Sequence, residues 1–366
     1  MRSISQPSKP LRVVAWPRSS PSNAYTGSLN DALERNGGVT VSEFHYSNGA
    51  LLRAMMNGAD IIHMHWLERP FWAQSRRLAV RQAIYALAVM AALKARGGSL
   101  IWTAHDPQPH HSPINEWLFS GWTRPVWQCY RRLLLRMIDG VLLLSESHRD
   151  LVVANAPTLA AIPKAVVPHP HYRGQYPDDV NKDAARTRLG IPQDKLVFAF
   201  VGSLRAYKNP EGLMEAFSRF QGNAMLVVVG GTENSEQSQR LQTLADKDPR
   251  IRFHDQFVAD DDLQYWLRAA DVMVLPYRKV TNSGSAHLAL SFDLPVLVPD
   301  EPVFQELEML VGAEWVRRFP AMLSADHLAE AIGWIKEARP PRPDLSALDW
   351  DTIANRTIDF YRKMAP

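Results

Sequence analysis

Short apolar runs alternate with longer stretches of helical spacing along most of this chain. Leu11–Trp16, Asp60–His65, Ser99–Ala104 and Gly140–Leu144 have strand length and are rich in Val, Ile and Leu. Between them lie Gly27–Arg35, a long stretch closed at Ala95 by Gly97-Gly98, and Trp117–Ile138. Strands without polar alternation are buried on both faces, and their alternation with helices predicts a parallel sheet covered on both sides. Residues 163–177 carry four prolines and predict a linker. The pattern then restarts: strands at Lys195–Val201, Ala224–Val229, Arg252–His254, Val272–Leu275 and Pro295–Val298 alternate with helices such as Pro210–Phe220 and Ser235–Asp246. After a second proline cluster at Arg339–Pro343, a last helix presents Trp350, Ile353, Phe360, Tyr361 and Met364 on one apolar side. The expectation is an α/β protein of two Rossmann-like domains facing across a cleft, residues 1–170 and 171–345, with a terminal helix over 346–366.

Composition narrows the classes. A chain of 366 residues, 46% hydrophobic and 22% charged, is long enough for two ordinary cores and too apolar for wholesale disorder. One cysteine, Cys129, excludes an internal disulfide and any multi-cysteine metal site. A net charge of +3 gives no reason to expect nucleic-acid binding, but the charge is uneven. Residues 1–170 hold 18 Lys and Arg against 10 Asp and Glu, leaving +8 there and −5 in the remainder. The first half therefore suits an anionic partner. The polar start Met1–Pro10 lacks a secretory signal, and the longest apolar stretch, Ala83–Leu93, is read as a core helix rather than a membrane span. The expected location is cytoplasmic, peripheral on the inner face of the plasma membrane.

In open α/β sheets ligands bind just beyond the carboxyl ends of the strands, so the residues there are the candidates. Gly202-Ser203 follows the first strand of the second half, with Arg205 and Lys208 before a helix at Pro210. Backbone N–H groups, a helix N-terminus and two cations suit a diphosphate, although a solvated basic turn has the same composition. Gly230-Gly231 ends the next strand and allows close approach of a ligand. Pro276-Tyr277-Arg278 and then Asn282-Ser283-Gly284-Ser285 lead into another helix, a second phosphate cradle or an ordinary helix cap.

The succession GSLRxYKNP, VVVGG, AADVMVLPYR and TNSGSAHLALSFDLPVL over residues 195–300 resembles the donor domain of GT-B glycosyltransferases. In the first half, Asp60–Trp66 and Trp102–His110 are similar to segments of the inverting β-mannosyltransferases of xanthan-type exopolysaccharide assembly. This resemblance implies a nucleotide-sugar donor held by the C-terminal domain and a glycan or polyprenyl-linked glycan acceptor held mainly by the N-terminal one. It implies no cofactor and no bound metal. It assigns the donor to Gly202, Ser203, Arg205, Lys208, Gly230, Gly231, Tyr277, Asn282, Ser283, Gly284 and Ser285, and sends the last helix back onto the N-terminal domain. Retaining relatives carry Glu-x7-Glu before the Pro-Val strand; here those positions are Val280 and Leu288. The departure favours inversion, and GDP-mannose is the donor that the resemblance favours.

Inverting transfer needs a base at the acceptor hydroxyl. Asp106 or His105, just after the strand Ser99–Ala104, is the expected base, with His65 contacting sugar or orienting the loop. Two other readings compete. His63, His65 and His105 could hold a zinc ion for hydrolysis, or the chain could bind nucleotide-sugars without catalysis. Finally, Trp117, Trp122, Trp127 and Tyr130 lie among Arg124, Arg131, Arg132 and Arg136, while Phe71 and Trp72 precede Arg76, Arg77 and Arg81. Aromatic and basic residues together suit an anionic membrane surface.

Overall fold

The protein is described from a computed structural model covering residues 10–17, 24–43, 58–106 and 121–365. It divides into two compact units. One runs up to His169 and resumes at Leu348; the other spans Pro170–Ala347.

The first unit is built on β1 (Leu11–Trp16), β2 (Val39–Glu43), β3 (Ile61–Met64), β4 (Ser99–Ala104), β5 (Gly140–Leu143) and β6 (Lys164–Val166), in the order β2-β1-β3-β4-β5-β6. Every pairing in it is parallel. On one face, Val14, Ile62, Leu100 and Trp102 pack with the helices Arg76–Ala95 and Thr123–Leu135. On the other, Val13, Ile61 and Ile101 pack with Ala24–Arg35 and the terminal helix Trp350–Met364. That last helix lies so close to β5 that a Cβ on Gly140 would stand 2.7 Å from the Phe360 ring.

The segment around Ala83–Leu93 belongs to the 20-residue helix Arg76–Ala95, capped by Ser75, whose side chain accepts from the Leu78 N–H. By length and composition alone, this helix is long and apolar enough to cross a membrane. Here its stripe Ala79, Ala83, Ala86, Val89, Met90 and Leu93 is buried, at the spacing of one helix face. Leu78 and Ile84 on the other side are 37% and 63% exposed. The aromatic segment expected at a membrane divides in the same way. Phe71, Trp127 and Tyr130 are core residues, packed on one another with ring centroids 5.4–5.9 Å apart. Trp72 and Trp122 stay exposed, and Trp117 lies outside the described residues. Arg131 turns inward to donate to the Asn155 carbonyl.

The second unit carries β7 (Leu196–Val201), β8 (Ala224–Val229), β9 (Ile251–His254), β10 (Val272–Val274), β11 (Val296–Pro299) and β12 (Val316–Phe319), in the order β12-β11-β10-β7-β8-β9, again all parallel. Phe198 and Phe200 of β7 are fully buried, each contributing about 2–3 kcal/mol of transfer free energy. Strand order reverses between β7 and β10 here, and between β1 and β3 in the first unit. Those reversals leave a crevice at the carboxyl ends of the strands, which is where such sheets take ligands.

The expected linker is partly structured. Its first residues, Lys164–Val166, form β6 against β5. Pro163 and Pro168 flank this edge strand, where a missing N–H costs no ladder bond. The strands Val39–Glu43 and Val316–Phe319 were not expected; both end their sheets and carry polar residues.

Candidate active site

In the second unit, the residues after β7 fold back across β8. A Cβ on Gly230 would lie 1.9 Å from the carbonyl oxygen of Gly202, so only glycine lets these two loops touch. Gly230 also has φ +155° and Gly202 φ +129°, which L side chains rarely adopt. Gly231 faces open space. The side chains of Ser285 and Lys208 both come close to the open face of Gly202: a Cβ built there would be 3.5 Å from Ser285 Oγ and 3.9 Å from Lys208 Nζ. Lys208 Nζ also stands 5.7 Å from the ring centre of the buried Tyr277. The helix Gly284–Ser291 aims its N-terminus from the β10 side of the strand reversal. The dipole at that N-terminus favours an anion there.

Two predicted donor residues have other duties. Ser283 is the helix cap, its Oγ accepting from the Ala286 N–H, and is 5% exposed. Of the two readings of this serine, the cap is the one observed. Arg205 is paired with Glu233 at 3.5 Å, and the same carboxylate accepts from the Ala206 N–H at 2.9 Å. Glu233 was not singled out in the sequence. Ser203 is exposed, and Asn282 and Gly284 are half-buried along the same two loops.

In the first unit, β3 and β4 carry a buried row of polar groups on the face of the terminal helix. His63 Nε2 and Thr103 Oγ1 are 2.6 Å apart, and His63 Nδ1 and Tyr361 Oη also 2.6 Å. His65 Nδ1 and His105 Nε2 share a hydrogen bond of 3.0 Å. Tyr25 sets its ring edgewise against both His65 and His105, with centroids 5.6 and 4.9 Å away. Burial pushes His63 and His105 down to about 3, Asp106 pulling His105 the other way, and drives His65 lower than its ordinary value with help from His63 and His105. Burial likewise holds the Tyr361 hydroxyl well above its usual range, so it stays protonated. This row is neutral and a poor proton acceptor. Asp106, the next residue along from His105, is only half-buried.

The geometry gives the zinc reading no support. Both ring nitrogens of His63 are taken by Tyr361 and Thr103, and His65 and His105 point at each other. Among the described residues no three His, Cys, Asp or Glu side chains are grouped to hold a metal ion. Tyr361, expected only as part of an apolar helix side, supplies the hydroxyl of the row. Trp66, stacked on His105 with 4.8 Å between centroids and 14° between planes, was likewise not singled out.

Residues 181–346 match the family described as glycosyl transferases group 1. A GDP-mannose:glycolipid 4-beta-D-mannosyltransferase of Xanthomonas campestris pv. campestris is 27% identical over 315 residues, covering 85% of this chain and 82% of that protein. A D-inositol 3-phosphate glycosyltransferase of Streptomyces griseus is 28% identical over 200 residues, 49% of this chain and 41% of that one. Among solved structures, Anabaena HepE with UDP and glucose aligns with a TM-score of 0.64 at 15% identity, covering 96% of this chain and 99% of that one. Sucrose-phosphate synthase of Thermosynechococcus elongatus aligns at 0.62 and 16%, covering 97% and 99%. The fold is GT-B, residues 181–346 are a group 1 glycosyltransferase domain, and the chain is a glycosyltransferase.

Proposed function

We propose that this glycosyltransferase moves mannose from GDP-mannose, with inversion and without a metal ion, to a hydroxyl of a lipid-linked glycan in exopolysaccharide assembly. The activity of the Xanthomonas relative, a GDP-mannose:glycolipid mannosyltransferase, supports the donor and the glycolipid acceptor. The observation that carries the donor site is the approach of both Lys208 Nζ and Ser285 Oγ to the open face of Gly202, beside a helix N-terminus at the strand reversal. In the second unit, Lys208 and the N-terminus of Gly284–Ser291 take up charge on the departing diphosphate, and Arg205 joins them by leaving Glu233. In the first unit, Asp106 is the base. It removes the proton from the acceptor hydroxyl as that oxygen bonds to the anomeric carbon and the bond to the diphosphate breaks. His105 and His65, neutral, buried and hydrogen-bonded to each other, hold the loop.

The same reading places the protein at the cytoplasmic face of an anionic membrane. The helices Arg76–Ala95 and Thr123–Leu135 contain no acidic residue. They expose Arg77, Arg81, Arg124 and Arg132 beside Leu78, Ile84, Trp122 and Leu133. Such a surface suits lipid headgroups, and nucleic acid is not an expected partner.

The test is a melt against GDP, UDP and ADP in chelator, followed by transfer from GDP-mannose. GDP alone should stabilise, by ~2.7 kcal/mol at 100 times its dissociation constant, and NMR should show an inverted anomeric centre in the product. Stabilisation by UDP alone, a retained anomer, or dependence on added metal would overturn the corresponding part. Sedimentation with phosphatidylglycerol vesicles at low salt tests the surface; its absence removes the membrane from the reading.

A further inference from the structure

Trp66 leaves β3 at the strand reversal of the first unit, where its ring lies flat on His105. Trp72 follows one short turn later, its ring centre 6.4 Å from that of Trp66 and the planes inclined by 36°. The turn between them, Arg69–Phe71, is pinned by buried Pro70 and Phe71, so the spacing of the two indoles is set by the core. Trp66 is half-buried and Trp72 is 36% exposed. Arg69 holds its guanidinium 5.1 Å from the ring centre of Trp72. Among the described residues no carboxylate pairs with Arg69, and Glu68 next to it is turned inward, 9% exposed.

Single exposed tryptophans are common on protein surfaces and need no explanation. This pair differs in three respects. The rings are adjacent, one is braced from behind by a residue of the buried histidine row, and a cation with no carboxylate partner among the described residues lies over the other ring. A pyranose presents one face of C–H bonds, whose positive edge complements the negative face of an indole. A guanidinium held over an indole still matches a carboxylate or phosphate in shape as well as charge.

We infer that Trp66 and Trp72 form a stacking platform for the acceptor saccharide, and that Arg69 reads an anionic group on that acceptor, either a uronate on the sugar or the diphosphate of a lipid carrier. The inference rests on the glycosyltransferase reading for the word acceptor, but not for the binding site. Stacking on an ordered platform also restricts which hydroxyl is turned toward Asp106, so the platform sets regiochemistry as well as affinity.

Fluorescence titration of the full chain needs neither donor nor turnover, so it separates this inference from the proposed activity, which the GDP melt tests by itself. Three probes are used: cellobiose, cellobiouronic acid, and cellobiose linked to a short alkyl diphosphate. One or both anionic probes should quench tryptophan emission and bind about tenfold more tightly than cellobiose, the worth of one charge-assisted contact. Preference for the uronate assigns Arg69 to the sugar; preference for the diphosphate assigns it to the carrier. Arg69→Gln should erase that preference and leave cellobiose binding unchanged. Trp72→Ala should weaken every probe about tenfold, and Trp66→Phe, which keeps a ring over His105, by less. In transfer assays these variants should raise the acceptor KM and leave kcat and the donor KM near those of the parent. Equal binding of the three probes, or unchanged binding in Trp72→Ala and Arg69→Gln while GDP still stabilises both variants, would overturn the inference.

Discussion

The two units share one sheet topology but build opposite kinds of site at its carboxyl edge. In the second unit the site is made of backbone and fixed charge: Gly202 against Gly230, Lys208, Arg205 and a helix N-terminus. In the first unit it is made of neutral, buried rings, with Asp106 as the charged group at its edge. The chemistry asked of each explains the difference. A diphosphate carries its charge before, during and after the reaction, so standing cations and N–H groups serve it throughout. A sugar hydroxyl is neutral until it reacts, and a cationic histidine beside the carboxylate that deprotonates it would lower that carboxylate's pKa and weaken it as a base; burial keeps the row neutral.

The largest expected effect separates the proposed base of the first unit, Asp106, from its neutral surroundings. Asp106→Asn keeps the shape and removes the base, and transfer should fall about 10²–10⁴-fold. The donor KM and the GDP-induced melting shift should stay as they were. A residual rate near that of the parent would move the base elsewhere and break the contrast between a reactive aspartate and inert histidines.

Next in size is the charge of the second unit. Lys208→Ala should lower kcat about 10²–10³-fold, the usual loss for one group that stabilises transition-state charge. Glu233→Gln should act in the opposite sense, releasing Arg205 from its 3.5 Å ion pair and tightening GDP binding. If Glu233→Gln weakens GDP instead, the carboxylate orients Arg205 for the phosphate rather than competing with it.

The second-unit site was the more legible in sequence, for a physical reason. Glycines, a Lys, an Arg and a Ser-Gly-Ser turn act through local backbone and formal charge, which neighbours in sequence determine. Even there the division of labour among residues was not visible. Ser283 and Ser285 are two residues apart, yet one caps the helix and the other faces Gly202. In the first unit, the order of strands and the positions of His63, His65 and His105 could be read, but their state could not. That state depends on Tyr361, 298 residues away from His63, and on burial from both covering helices. The short edge strands β2, β6 and β12 escaped because a three- to five-residue strand with polar positions has no period to recognise.

A smaller effect tests how far backbone alone makes the second site. Gly230→Ala puts a Cβ 1.9 Å from the Gly202 carbonyl oxygen at a φ that alanine avoids. It should cost about 3 kcal/mol, as overpacking does. The GDP shift should disappear with it, because the loops must part. Gly231→Ala, one residue on, meets nothing within 4 Å and should stay within about 0.5 kcal/mol of the parent. Equal behaviour of the two would show that loop contact does not shape the donor site.

The smallest effect, read per unit of pH, examines the neutral row itself. His63 and His105 sit near 3 when folded because burial penalises their charge, whereas an unfolded histidine titrates near ~6.5. Between those values the unfolded chain binds more protons than the folded one. The stability held above about pH 6.5 is therefore lost as the pH falls toward 3, at about 1.4 kcal/mol per pH unit for each such histidine. His63→Gln should flatten the decline by one proton, whatever it does to stability at pH 7. Tyr361→Phe removes a hydrogen bond to His63, worth about 1 kcal/mol, but leaves the ring buried. It should lower the whole curve without changing its slope. Melts from pH 7.5 to 5 distinguish the two, and a slope unaltered in His63→Gln would mean that the ring is already charged or open to water. The first unit would then hold a cation like the second, and the contrast between them would fail where it is most specific.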